Sequence, residues 1–213
     1  MFCRVSSLLL VVGLLGFLSM GYQMVASRLL APCFGTSLIV WAFLISTFLA
    51  AFSVGSIAGG WISSLRHRAR RVGLLLVGLC AVAGFAVDAL AGRAILDAID
   101  ASISNTNAGL LLACCSLFLA PVLALSAYSP LCADRLAAGG MRSGLATGLV
   151  YGVSTLGNIA GVMVTSFVLI PRFGISSLLM LWLVLAAIDV LLLERLLWRS
   201  DETSSGSPAH CGK

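Results

Sequence analysis

Asp189 stands inside the last of six long apolar blocks, a little over two turns before Trp198. A carboxylate at such a place is expensive, about 2.5–3.5 kcal/mol on insertion scales, so it normally faces a cavity, a cation or a partner. Four other polar residues share this setting. Gln23 lies near the far end of the first block and Asp88 near the far end of the third. Asn158 is in the middle of the fifth, and Arg28 follows Gln23 in a corner. Carboxylates and amides in such positions do one of three things. They bind a cation, relay a proton or hydrogen-bond a neighbouring helix. Asp189 is the foremost candidate for the first two, its other reading being an interfacial residue near Arg195 and Arg199. Asp88 reads as interfacial, and Asn158 as an interhelical hydrogen-bonding group. Gln23 and Arg28 either bond each other or line a mouth. These four, Gln23, Arg28, Asn158 and Asp189, are the expected substrate path.

Familiar catalytic sets are missing from the sequence: there is no G-x-S-x-G, H-E-x-x-H, P-loop or G-x-G-x-x-G. The two histidines, His67 and His210, fall in a basic loop and in the tail. Seven cysteines are present without C-x-x-C spacing, and most sit in apolar blocks as small buried residues. No metal site, disulfide framework or cofactor is expected, and the chain does not read as an enzyme.

The elements that position these residues follow from composition. Of 213 residues, 60% are hydrophobic and 10% charged, where a soluble domain carries about 25% charged residues. Mean hydropathy is +1.10. The apolar residues come in blocks of about 20, enough to cross a hydrocarbon core of about 30 Å as a helix. The expected fold is therefore an all-α membrane protein of six spans, at about 5–25, 38–63, 72–91, 109–132, 144–170 and 175–197. A tail at 199–213 reads as disordered. The first block has a basic start like a signal peptide, but it is long and lacks a clean small-x-small site before Arg28, so retention is expected.

Pro32 is expected to stop the first helix, Gly35 to turn the chain, and Thr36 or Ser37 to cap the second. The segment from Gly92 to Ala108 reads as a loop with at most a short surface helix. Pro121 and Pro130 interrupt the fourth block. Around Ser126-Ala-Tyr128-Ser129-Pro130 a locally broken helix is expected, its freed carbonyl either lining a polar cavity or marking a simple kink.

The net charge of +5 comes from residues in short loops, which excludes a nucleic-acid face and points to membrane orientation. With the N-terminus inside, ten Lys and Arg lie on the inner side against three outside, Arg28, Arg93 and Arg172. Both termini are thus expected in the cytoplasm of a cell whose inner (plasma) membrane holds the chain. The loop Arg66, Arg68, Arg70 and Arg71 is the densest charge cluster and a candidate partner surface. Small residues at fourfold spacing form candidate packing stripes. Gly55 and Gly59 mark the second block; Gly144, Gly148 and Gly152 mark the fifth, and Gly157 and Gly161 continue it after a one-residue shift. They serve either tight packing within one bundle or a sliding or dimerising face.

With these residues in view, a family resemblance is apparent. Met24-Val-Ala-Ser-Arg-Leu-Leu-Ala-Pro-Cys-Phe-Gly-Thr-Ser37, with Trp41 and Gly55, Gly59 and Gly60, resembles the membrane region of bacterial fused spermidine synthase-like proteins. Tyr151-Gly-Val-Ser-Thr-Leu-Gly-Asn-Ile-Ala-Gly161, then Phe167-Val-Leu-Ile-Pro171 and Gly174, resembles the fifth span of the same region. The family commonly has Glu where Gln23 stands and an aromatic where Cys33 stands. Fused members continue into an aminopropyltransferase domain, and none follows the sixth span here, so that activity is not expected. Gly55, Gly59 and Gly60 with Arg66–Arg71 also resemble half of a major-facilitator-type transporter, without the acidic residue usual in that loop. The resemblance implies a transporter-like module for a small, polyamine-like cationic solute, acting as a homodimer in the lipid bilayer. The alternative it implies is a non-catalytic scaffold for a separately encoded synthase-like subunit.

Overall fold

Three short corners hold one end of the molecule together. At the first, Gly35 takes a φ of 73°, a left-handed conformation that suits a residue without a β-carbon. The Ser37 side chain then caps the next helix by accepting from the Val40 N–H at 3.4 Å. At the second, the Asn105 side chain accepts from the N–H groups of Asn107 and Ala108. The third follows Pro171, at residues 173–174.

The computed structural model describes residues 2–205, with side chains from 5 to 198. Among them are six long helices and no strand: α1 (Phe2–Phe34), α2 (Leu38–Ser64), α3 (His67–Ser102), α4 (Thr106–Ala138), α5 (Ser143–Arg172) and α6 (Ile175–Ser205). Each contains a segment long and apolar enough to cross a membrane, so the chain is a multi-pass membrane protein. Short connections force successive helices to alternate in direction. The corner end, described above, lies opposite an arginine-rich end that carries residues 65–66 and 139–142.

Several boundaries differ from expectation. Helix α1 runs through Pro32 to Phe34, because a proline near the end of a helix removes a single bond, to the Arg28 carbonyl, and little helix follows it. Helix α3 continues across the expected loop to Ser102. Its buried residues there, Phe85, Asp88, Gly92, Leu96 and Ile99, recur every three or four positions. Arg93, Asp97 and Asp100 lie on the exposed face, so their charges do not end the helix. Asn105 starts α4 three residues before the expected 109. Helix α6 extends to Ser205, which removes 199–205 from the expected tail; 206–213 lie outside the described residues.

The fourth span is irregular, but earlier than expected. Ser126–Pro130 stays helical, while Cys114–Phe118 widens into a π-type turn. Pro121 explains this. Its ring crowds the carbonyl of Leu117 four residues back, and a wider turn relieves the contact. Helix α5 repeats the device at Thr165–Leu169, ahead of Pro171.

Helix α4 is the most enclosed, and α5 the least. The closest pairs are α1 with α5 and α2 with α4, followed by α3 with α4 and α3 with α6. Glycines set the first two. A β-carbon at Gly157 would stand 2.9 Å from the Gly13 carbonyl carbon and 3.1 Å from the Phe17 nitrogen. Gly161 meets Phe17 in the same way, and Gly16 of α1 meets Ser154. Across the bundle, Gly55 fits against Leu123 and Ser126, and Gly59 against Ala127 and Pro130. The Ser126 hydroxyl donates to the Ala51 carbonyl at 3.2 Å, tying α4 to α2. Helix α6 is anchored by Trp182, whose indole N–H donates to the Leu18 carbonyl at 3.0 Å while its ring stacks on Phe17. The stripe Gly144, Gly148 and Gly152 differs: nothing lies within 4 Å of a β-carbon there. Those three glycines do not pack within the chain, because they lie on an exposed face of α5, while Ala146 and Val150 face inward.

Candidate functional site

Helices α3, α4 and α6 enclose the polar cluster in the arginine-proximal half of the bundle. Asp189 of α6 is fully buried, and neither carboxyl oxygen has a hydrogen-bond partner among the described residues. It is thus an interior group and does not reach toward the helix end. Tyr128 of α4 is buried with an unpartnered hydroxyl. Glu194, Cys132 and Asp189 are the ionisable groups that act on that hydroxyl. Gly78 of α3 forms the facing wall: a β-carbon there would stand 2.9 Å from Tyr128 Oη, 2.8 Å from Val190 Cγ1, and against Glu194 Oε1. Asp189 and Arg135 both act on the Cys132 thiol. A carboxyl group and a phenol therefore meet at Gly78, where an alanine would not fit, and Asp189 acts on the same phenol. Such a set offers only oxygen acceptors and one hydroxyl, the donor set for a cation or a proton. Tyr128 belongs to the Ser126–Pro130 segment singled out in the sequence, although no break in the helix exposes it.

A second buried carboxyl lies about 15 Å further along α3, ten residues beyond Gly78 at 1.5 Å each. Asp88 is 1% exposed, so it is not interfacial. Its Oδ2 accepts from the Tyr22 hydroxyl of α1, while Oδ1 has no partner. The Tyr22 ring packs edge-on against Phe85 (4.7 Å between centroids) and Phe118 (5.7 Å), with Phe48 at 6.1 Å. Sequence reasoning missed this pair. The available signal was Asp88's place in the three-four repeat with Phe85, Gly92 and Leu96.

The expected path residues do not come together. Gln23 is buried beside Tyr22 in sequence. Asn158 is half-buried at the α1–α5 seam, its backbone nitrogen 3.1 Å from a β-carbon placed at Gly16. Arg28 is exposed at the corner end, where it lines a recess of about 310 Å³ with Ser27, Thr36, Trp41 and Ser166. Only Asp189 belongs to the interior cluster. The arginine loop is partly committed to the bundle. Arg70 reaches Asp134 at 3.3 Å, and Arg71 lies 5.1 Å over the Trp198 ring, leaving Arg66 and Arg68 exposed. Among the described residues no group of three or more His, Cys, Asp or Glu could hold a metal ion.

The chain matches no protein-family model, no curated protein and no solved structure.

Proposed function

We propose that this bundle is a transport-type membrane module for a small cationic solute. Asp189 is the cation-holding group, with Glu194 and Tyr128 beside it. The observation that carries this reading is the burial of Asp189 among apolar helices with no hydrogen bond to either carboxyl oxygen among the described residues. A structural carboxylate would be paired; an unpaired one is held neutral by a proton or compensated by a cation. The resemblance to the membrane region of spermidine synthase-like proteins makes polyamines the first solutes to test. In this reading the working unit is a homodimer in the plasma membrane, with both termini cytoplasmic. The test is uptake of labelled polyamine into proteoliposomes. Asp189→Asn abolishes uptake while leaving the detergent-purified protein monodisperse; uptake equal to the parent's refutes the assignment.

The exposure of Arg66 and Arg68 supports a second reading, a scaffold that docks an acidic face of a soluble synthase-like subunit. Native mass spectrometry in mild detergent separates the two. A homodimer favours transport; a complex with a soluble subunit, lost in a variant with both arginines changed to Ala, favours the scaffold.

A further inference from the structure

Asp88 and Tyr22 belong to neither reading, and their surroundings are unusual. The carboxyl is buried at the centre of α1, α2, α3 and α4, and half of its accepting capacity is unused. Tyr22 of α1 faces it; the ring neighbours supplied by α2, α3 and α4 are Phe48, Phe85 and Phe118. Tyr22 is the one titratable or charged group that acts on it, and none from α6 does. A carboxylate left alone in such a place is costly, so the site needs a positive charge.

Size decides which one. Aromatic rings around a carboxylate fit an organic ammonium when the rings leave a space between them. Here the Tyr22 ring fills that space, at 4.7–6.1 Å from its three neighbours, and all four rings are fully buried. The Tyr22 hydroxyl already occupies Oδ2. A metal ion at Oδ1 alone would lack the several oxygen ligands it needs. A proton requires one lone pair, and Oδ1 supplies it.

We infer that Asp88 and Tyr22 form a proton-binding site at the centre of the bundle, distinct from the Asp189 cluster. Taking up a proton forms the O–H bond at Oδ1, and no other bond changes. Tyr22 keeps its proton throughout and donates to Oδ2, so it holds the carboxyl in one orientation. The proton bound there neutralises the one charge that α1 and α3 enclose between them.

Infrared difference spectroscopy of the purified protein tests this without any transport assay. The C=O stretching band of a protonated carboxylic acid is followed as pH is varied. The expected result is a band that appears with falling pH, shifts in D2O, is missing from Asp88→Asn and remains in Asp189→Asn. In Tyr22→Phe the band moves, since one hydrogen bond to the carboxyl is lost. A titrating band that is unchanged in Asp88→Asn overturns the assignment, as does a band that responds to Na⁺ or spermidine at fixed pH. If Asp88→Asn does not fold, Tyr22→Phe decides: a displaced band supports the site, and an unmoved band overturns it. Because the readout is spectroscopic, a failure here is separate from a failure of polyamine uptake.

Discussion

Two glycines of α5, nine residues apart in the chain, should respond in opposite ways to the same substitution. At Gly157 an added methyl meets backbone, 2.9 Å from the Gly13 carbonyl carbon and 3.1 Å from the Phe17 nitrogen. Comfortable carbon contacts lie at about 3.5–4.0 Å, and the Gly13 carbonyl oxygen is closer still, so α1 and α5 must part by at least about 0.6–1.1 Å. Backbone cannot rotate out of the way as a side chain can. Overpacking of this kind costs about 1–3 kcal/mol. Replacing glycine in a helix returns up to about 1 kcal/mol of propensity, leaving Gly157→Ala about 0–2 kcal/mol less stable. At Gly148 nothing lies within 4 Å, so only the propensity gain acts. The two variants should therefore differ by about 2 kcal/mol, roughly a 30-fold change in the ratio of folded to unfolded protein. The assay is reversible unfolding in mixed micelles of rising SDS content, followed by tryptophan fluorescence. A Gly157→Ala as stable as Gly148→Ala would refute the close approach of α1 to α5. A Gly148→Ala as damaging as Gly157→Ala would show that the stripe of Gly144, Gly148 and Gly152 is covered after all, by another copy.

Other perturbations read other contacts. Tyr22→Phe strips Asp88 of its donor and leaves both carboxyl oxygens unpartnered, so a loss of about 1.5–3 kcal/mol is expected in the same unfolding assay. Arg70→Ala removes a pair in which Asp134 is 43% exposed, and less than about 1 kcal/mol should be lost. Gly78→Ala intrudes on Tyr128, Val190 and Glu194, and it should lower uptake more than it lowers stability; the comparison of proteoliposome flux with the SDS midpoint checks this. Cys33 lies at the corner end, half-buried and unpaired. A membrane-impermeant maleimide added outside intact cells should label it and not Cys114 or Cys132, which are buried; labelling only after lysis would reverse the proposed orientation.

The six spans were legible because hydrocarbon thickness imposes a length that composition records. The corner at Gly35 and Ser37 was legible because turn and cap chemistry is local. What failed depended on which face a residue occupies. Arg93, Asp97 and Asp100 looked like a loop, but they share one exposed face of a helix whose opposite face buries Leu96 and Ile99. Asp88 looked interfacial because those charges follow it; its pairing with Tyr22, 66 positions away, is a tertiary fact. The glycine stripe of α5 continues in sequence after a one-residue shift, yet only Gly157 and Gly161 meet α1, since which face of a helix meets its partner is not written in either alone. Asp189 stood out in the sequence because it falls so deep in an apolar block, and it is interior rather than interfacial; Tyr128 and Glu194 came into view only once α4 and α6 were assembled.

The two wide turns give the molecule ends of unequal stiffness. A π-type turn carries one residue more than the helix around it needs, and passing that residue along rotates everything beyond it by about 100° and advances it by about 1.5 Å. In α4 the surplus sits at Cys114–Phe118 and in α5 at Thr165–Leu169, each on the corner side of its helix. Such a shift would move the segments Thr106–Ala113 and Ile170–Arg172 while the arginine-proximal lengths kept their register, and in α4 it would have to repack the buried Leu110 and Ala113. Phe118, at the end of the wide turn in α4 and edge-on to Tyr22, stands where the two lengths meet.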